Sequence, residues 1–126
     1  MAELIVRDQY IQKLLAYKDK DLIKVISGLR RSGKSTLLKL FREELEKSGV
    51  EKSQIISLNF EEFELRRFQN NLDELYDYII EHLDLSRPNY VFLDEIQNVN
   101  EFERLVDGLF VKPNIDVYIT GSNALL

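Results

Sequence analysis

A chain of 126 residues with 22 acidic and 17 basic side chains, formal net charge -5, has room for one compact domain and lacks the basic excess that wholesale nucleic acid binding needs. It contains no cysteine, which excludes disulfides, thiolate catalysis and cysteine-ligated zinc. The opening MAELIVRDQY has no basic stretch followed by an apolar one, and no apolar run approaches membrane-spanning length, so a cytoplasmic setting with no membrane partner is expected.

In chain order, Asp8 is placed to cap a helix over QYIQKLLAYK, with Tyr10, Ile11, Leu14 and Leu15 on one stripe. LIKVISG reads as a strand ending at a glycine. After a glycine-rich loop, Leu37, Leu38, Phe41 and Leu45 form the apolar face of a helix that stops at Gly49. QIISLNF is a second short strand, and EEFELRRFQN reads as a loop with one helical turn. Asn71 caps an amphipathic helix whose Leu72, Leu75, Tyr76, Ile79, Ile80 and Leu83 fall in register. YVFLDEI is almost continuously apolar up to Asp94, as expected of a strand covered on both faces. Asn100 starts a further helix with Phe102, Leu105, Val106, Leu109 and Phe110 inward, and DVYITGS closes as a strand. The order α-βα-βα-βα-β predicts an α/β fold with a parallel sheet and right-handed crossovers.

Between the first strand and the helix that follows lies Gly28-Leu29-Arg30-Arg31-Ser32-Gly33-Lys34-Ser35, a full match to G-x-x-x-x-G-K-[ST]. A chance match in a chain of this length is on the order of one in a few hundred, and the strand-helix context makes it rarer. Glycines let the backbone curl around a polyphosphate, while a helix N-terminus offers unpaired N–H groups and partial positive charge. Residues 28–36 are therefore the candidate ATP-binding loop. Lys34 is expected to reach the terminal phosphates, Ser35 to give its hydroxyl to Mg²⁺, and Thr36 to touch an inner phosphate. At Arg30 and Arg31 the backbone matters more than the side chains, which have solvent, a neighbouring acid or another chain as alternatives.

One strand and one helix later, the apolar YVFL ends in Asp94-Glu95. An acid in that place holds Mg²⁺, generally through water, because this ion keeps much of its hydration shell. The next carboxylate, Glu95, is the candidate base that polarises an attacking water. ITGSN closes the last strand with polar residues, and Ser122, then Asn123, are the candidates for sensing the γ-phosphate. Asn59, ending ISLN, is a candidate to hydrogen-bond Glu95 and hold it back; its plain alternative is a turn residue. His82, the only histidine, reads as a surface residue.

In VISGLRRSGKSTLL, YVFLDEIQNVNEFERLVDGL and VYITGSNALL the chain resembles the AAA-type ATPases of bacteria and archaea that carry a C-terminal domain of unknown function. The resemblance spans nearly the whole sequence. It implies the ASCE branch of phosphate-loop proteins, with Lys34 and Ser35 in Walker A, Asp94 and Glu95 in Walker B, and a sensor near Ser122. It also implies a three-layer α/β/α sandwich in which the last strand lies between the first and the Walker B strand, in spatial order 2-3-4-1. Proteins of that kind continue into a fifth strand, a lid and a second domain, whereas this sequence stops at NALL. Residues 1–126 are thus expected to form a truncated ATPase core, open at the outer edge of the first strand and able to self-associate there.

The expected function is hydrolysis of Mg-ATP that drives a conformational switch. The alternatives are a nucleotide-binding sensor with negligible turnover and a small-molecule phosphoryl transferase. The Asp-Glu pair suits activation of water, and no acceptor-binding segment stands out, which disfavours the transferase. No N-K-x-D stretch is present for guanine recognition.

Overall fold

Alternating strands and helices resolve into one sheet with helices on both of its faces. The computed structural model describes residues 12–19, 22–26 and 31–121, with backbone alone over 31–35. The elements are a helix over residues 12–17 (α1), β1 (Lys24–Ile26), α2 (Arg31–Lys47), β2 (Ile55–Asn59), α3 (Leu72–Glu81), β3 (Asn89–Asp94), α4 (Phe102–Phe110) and β4 (Ile115–Thr120). All strand pairs are parallel, in the order β1-β4-β3-β2. This is the expected 2-3-4-1 order read from the other edge, and the fold is that of the phosphate-loop NTPases. Among the described residues the sheet ends at β1, and no helix is long and apolar enough to cross a membrane.

Each face of the sheet has its own core. On one, Leu75 and Ile79 of α3 and Leu105, Val106 and Leu109 of α4 pack on Ile56, Leu58, Val91, Leu93, Val117 and Ile119. On the other, Leu14 of α1 and Leu37, Leu38, Phe41 and Leu45 of α2 cover Ile26, Tyr90, Phe92 and Tyr118. Every residue of β3 is buried, as its unbroken apolar run requires. Phe41 meets Phe92 edge-on at 6.0 Å and Tyr118 at 5.2 Å, while Phe92 and Tyr118 stack at 4.9 Å. Each aromatic pair of this kind adds about 0.5–1.5 kcal/mol beyond its buried area. They fix α2, and with it the start of the phosphate loop's helix, on the sheet.

At the N-terminal end of the strands a buried polar network ties α1 down. Lys24 pairs with Asp116 on the neighbouring strand. The Tyr118 hydroxyl donates to Asp116 Oδ2 at 2.8 Å, and so does the Asp19 N–H at 2.9 Å. The Tyr90 hydroxyl donates to Asp19 Oδ1 at 2.9 Å. Burial, with Asp116 and Asp19 beside them, pushes both tyrosine hydroxyls above their ordinary range.

The elements depart from the sequence expectations in three places. The helix after the phosphate loop begins at Arg31 and takes in the second half of the motif. Gly33 is the only poor helix former between Arg31 and Lys47, and a helix starting early can aim its first N–H groups at an anion. The segment after β2 forms a 3₁₀ helix, Phe63–Phe68, anchored by the fully buried Phe68. Lastly, α4 starts at Phe102 rather than at Asn100. Asn100 is tied instead to the preceding segment, its N–H donating to Gln69 O at 2.8 Å and its side chain bonding Asn70. The other caps are as expected: Asn71 accepts the Glu74 N–H at 3.2 Å, and Gly49 ends α2 at φ 106°. Asp8, Tyr10 and Ile11 lie outside the described residues.

Candidate functional site

The C-terminal ends of the parallel strands lie along one edge of the sheet. There Ile26 of β1 pairs with Thr120 of β4, and Asp94 of β3 pairs with Asn59 of β2. The chain leaving β1 returns as α2, so the start of α2 belongs to this same edge. Ser32, Gly33, Lys34 and Ser35 lie in the first turns of α2 with Arg31. Thr36 follows, partly buried. Gly28, Leu29, Arg30, Ser122 and Asn123 lie outside the described residues.

Asp94 is buried at the last position of β3. Its Oδ1 accepts the hydroxyl proton of Thr120 across the neighbouring strand, and the same hydroxyl accepts the Glu95 N–H at 3.1 Å. One threonine thus uses its donor and an acceptor position to link both acidic residues. Glu95 adopts a left-handed conformation, φ 56° and ψ 48°, which costs a non-glycine residue on the order of 1 kcal/mol or more. The bond to Thr120 and the 3₁₀ turn that starts at Glu95 offset that strain. The turn is closed by the Asn98 N–H on Glu95 O at 3.2 Å and seated by the buried Ile96 and Val99.

The Glu95 side chain is also buried, and its Oε2 accepts from Gln97 Nε2 at 2.6 Å. The bond expected from Asn59 is absent among the described residues. Asn59 Oδ1 accepts the Glu61 N–H at 3.0 Å instead, a local turn contact open to an asparagine at a strand end. His82 lies exposed at the end of α3, its ring Nδ1 2.7 Å from Tyr78 O.

Thr120 and Gln97 are the residues that sequence reasoning missed. Thr120 carried a signal as the last polar position of the closing strand, two residues before Ser122. Gln97 stands in the LDEIQ block, but only the turn after β3 shows that it reaches back to Glu95.

The profile of the AAA domain family matches residues 20–126. This chain belongs to the AAA domain family. An AAA domain is a phosphate-loop, nucleotide-binding domain, which agrees with the sheet order and with the motif at the start of α2. An uncharacterized protein of Haemophilus influenzae is 44% identical over 98% of the chain, and one of Methanocaldococcus jannaschii is 33% identical over 99%. The chain spans 31% of the first relative's length and 25% of the second's. No solved structure matches it.

The donor set of this AAA domain fits Mg²⁺ with a nucleotide. Among the described residues no group of three or more histidines and acids could hold a metal alone. Mg²⁺ needs no such cage: one or two oxygen ligands suffice when phosphates and waters fill the other positions. The buried Asp94 carboxylate is a hard oxygen donor of that kind.

Proposed function

We infer that this domain binds Mg-ATP at the C-terminal edge of β1, β4 and β3 and hydrolyses it, the hydrolysis driving a conformational switch in the protein that carries it. The observation that carries the reading is the Thr120-linked pair Asp94 and Glu95 at the end of β3, with only β4 between it and β1.

In this reading the backbone of residues 28–36 cradles the phosphates, and Lys34 binds the terminal ones. Ser35 and Asp94 hold Mg²⁺. Mg²⁺, when bound, draws negative charge from the phosphate oxygens. Glu95 takes a proton from the attacking water as the water oxygen bonds to the γ-phosphorus. The bond from that phosphorus to the bridging oxygen breaks, and ADP leaves carrying the negative charge. Ser122 is assigned to sense the γ-phosphate.

Phosphate release by the parent and by Glu95→Gln tests the hydrolytic half. The substitution keeps shape and hydrogen bonding but removes the base, so the rate should fall by about 10²-fold or more while Mg-ATP still binds. Equal rates in the two proteins would remove Glu95 as the base. Negligible turnover in both would leave a nucleotide-binding sensor.

A further inference from the structure

We propose that Gln97 is a positioning residue for hydrolysis, its side-chain amide holding the Glu95 carboxylate in the orientation that receives the proton of the attacking water. The proposal rests on the reading of Glu95 as the base. Three observations support it.

The contact itself is direct: Gln97 Nε2 donates to Glu95 Oε2 at 2.6 Å. The turn that presents Gln97 is held on both sides. Asn98 Nδ2 donates to Phe60 O at 3.2 Å, tying the turn to the end of β2, and the buried Ile96 and Val99 anchor it in the core. The third observation is a cost. Gln97 Oε1 is buried and has no hydrogen-bond partner. A buried carbonyl left unpaired is unfavourable, and such groups are rare enough in native proteins to call for a reason. Rotating the amide would not help, because it would set a carbonyl oxygen against the carboxylate. The bond to Glu95 therefore dictates the orientation, and the orphan oxygen is its consequence.

A glutamate side chain otherwise samples many rotamers. Fixing it before the substrate arrives removes that search from the barrier, and small misplacements of a reacting group cost large factors in rate.

Single-turnover hydrolysis and Mg-ATP affinity of the full-length protein test this, with Glu95→Gln, Gln97→Ala, Gln97→Glu and the double variant Glu95→Gln/Gln97→Ala. Gln97→Ala should slow the chemical step about 10- to 100-fold with the Kd for Mg-ATP changed by less than about twofold. Gln97→Glu keeps the shape, loses the donor and faces Glu95 with a like charge, so it should be at least as slow. The double variant should be no slower than Glu95→Gln alone, because Gln97 acts only through Glu95. A Gln97→Ala rate equal to the parent's, with Glu95→Gln still slow, overturns the proposal and leaves the base intact. Faster hydrolysis by Gln97→Ala makes Gln97 a restraint instead, and also overturns it. A double variant slowed by the full single-variant factor shows a general structural role and counts against it equally. If the parent and Glu95→Gln hydrolyse alike, the base reading falls and takes this proposal with it.

Discussion

Thr120 shows how much of the site depends on one hydroxyl. Its proton goes to Asp94 and its lone pair to the Glu95 N–H, so Thr120→Val leaves two buried groups without that partner while keeping the side chain's shape. Each group left short costs about 1–3 kcal/mol. Thr120→Val should therefore unfold at lower denaturant and bind Mg-ATP more weakly, whereas Thr120→Ser, which keeps the hydroxyl, should restore most of both. A Thr120→Val protein with the parent's denaturation midpoint would remove the threonine from this role. The glycine-rich stretch, Asp94 and Glu95 became candidates from sequence because their signal is local spacing. Thr120 and Gln97 were not, since one depends on the register of β4 against β3 and the other on a left-handed turn after the strand. Asn59 stands at the strand end as read, but its side chain takes the Glu61 N–H of its own turn.

Among the elements, strand and helix order and the cores of both faces followed from periodicity. Errors gathered at boundaries, where long-range contacts compete with local ones. Asn100 read as the start of a helix but is held by Gln69 and Asn70, and the helix starts two residues later. The polar network at the start of the strands had no sequence signal, since Lys24, Asp116, Tyr118, Tyr90 and Asp19 come from four separated segments. It predicts a pH dependence. Tyr118 and Tyr90 hold their protons above the ordinary tyrosine value of 10.0 in the folded state, because of burial first and the neighbouring carboxylates next. A group whose folded value is raised contributes stability that is fully present below its unfolded value. Stability should therefore hold below pH 10 and fall as pH rises beyond it, since the unfolded chain then releases protons that the folded chain keeps. Each retained proton changes the unfolding equilibrium by on the order of tenfold per pH unit. Tyr118→Phe should flatten that fall. Urea midpoints measured from pH 8 to 11 would show it, and an equally steep decline in the variant would place the effect elsewhere.

For the molecule as a whole, the sheet order was legible only through the family resemblance; alternation alone gives a parallel sheet without saying which strands are neighbours. The β1 edge carries a further expectation. Val25 is 49% exposed and Leu22 52%, and among the described residues β1 pairs on one side only. Apolar unpaired edges recruit other chains, and a lysine on the edge blunts them. The 126-residue chain should self-associate at tens of micromolar, roughly, and Val25→Lys should keep it monomeric. Sedimentation showing a monomer for both would contradict this. The central claim is narrower, that residues 28–36 form a working phosphate site rather than a turn between β1 and α2. Calorimetric titration with Mg-ATP of the parent and of Lys34→Ala tests it most directly. Loss of the lysine charge that the proposed site uses for the terminal phosphates should remove most of the affinity, by about 10²-fold or more. Binding of the same strength in both proteins would mean that the glycines only turn the chain.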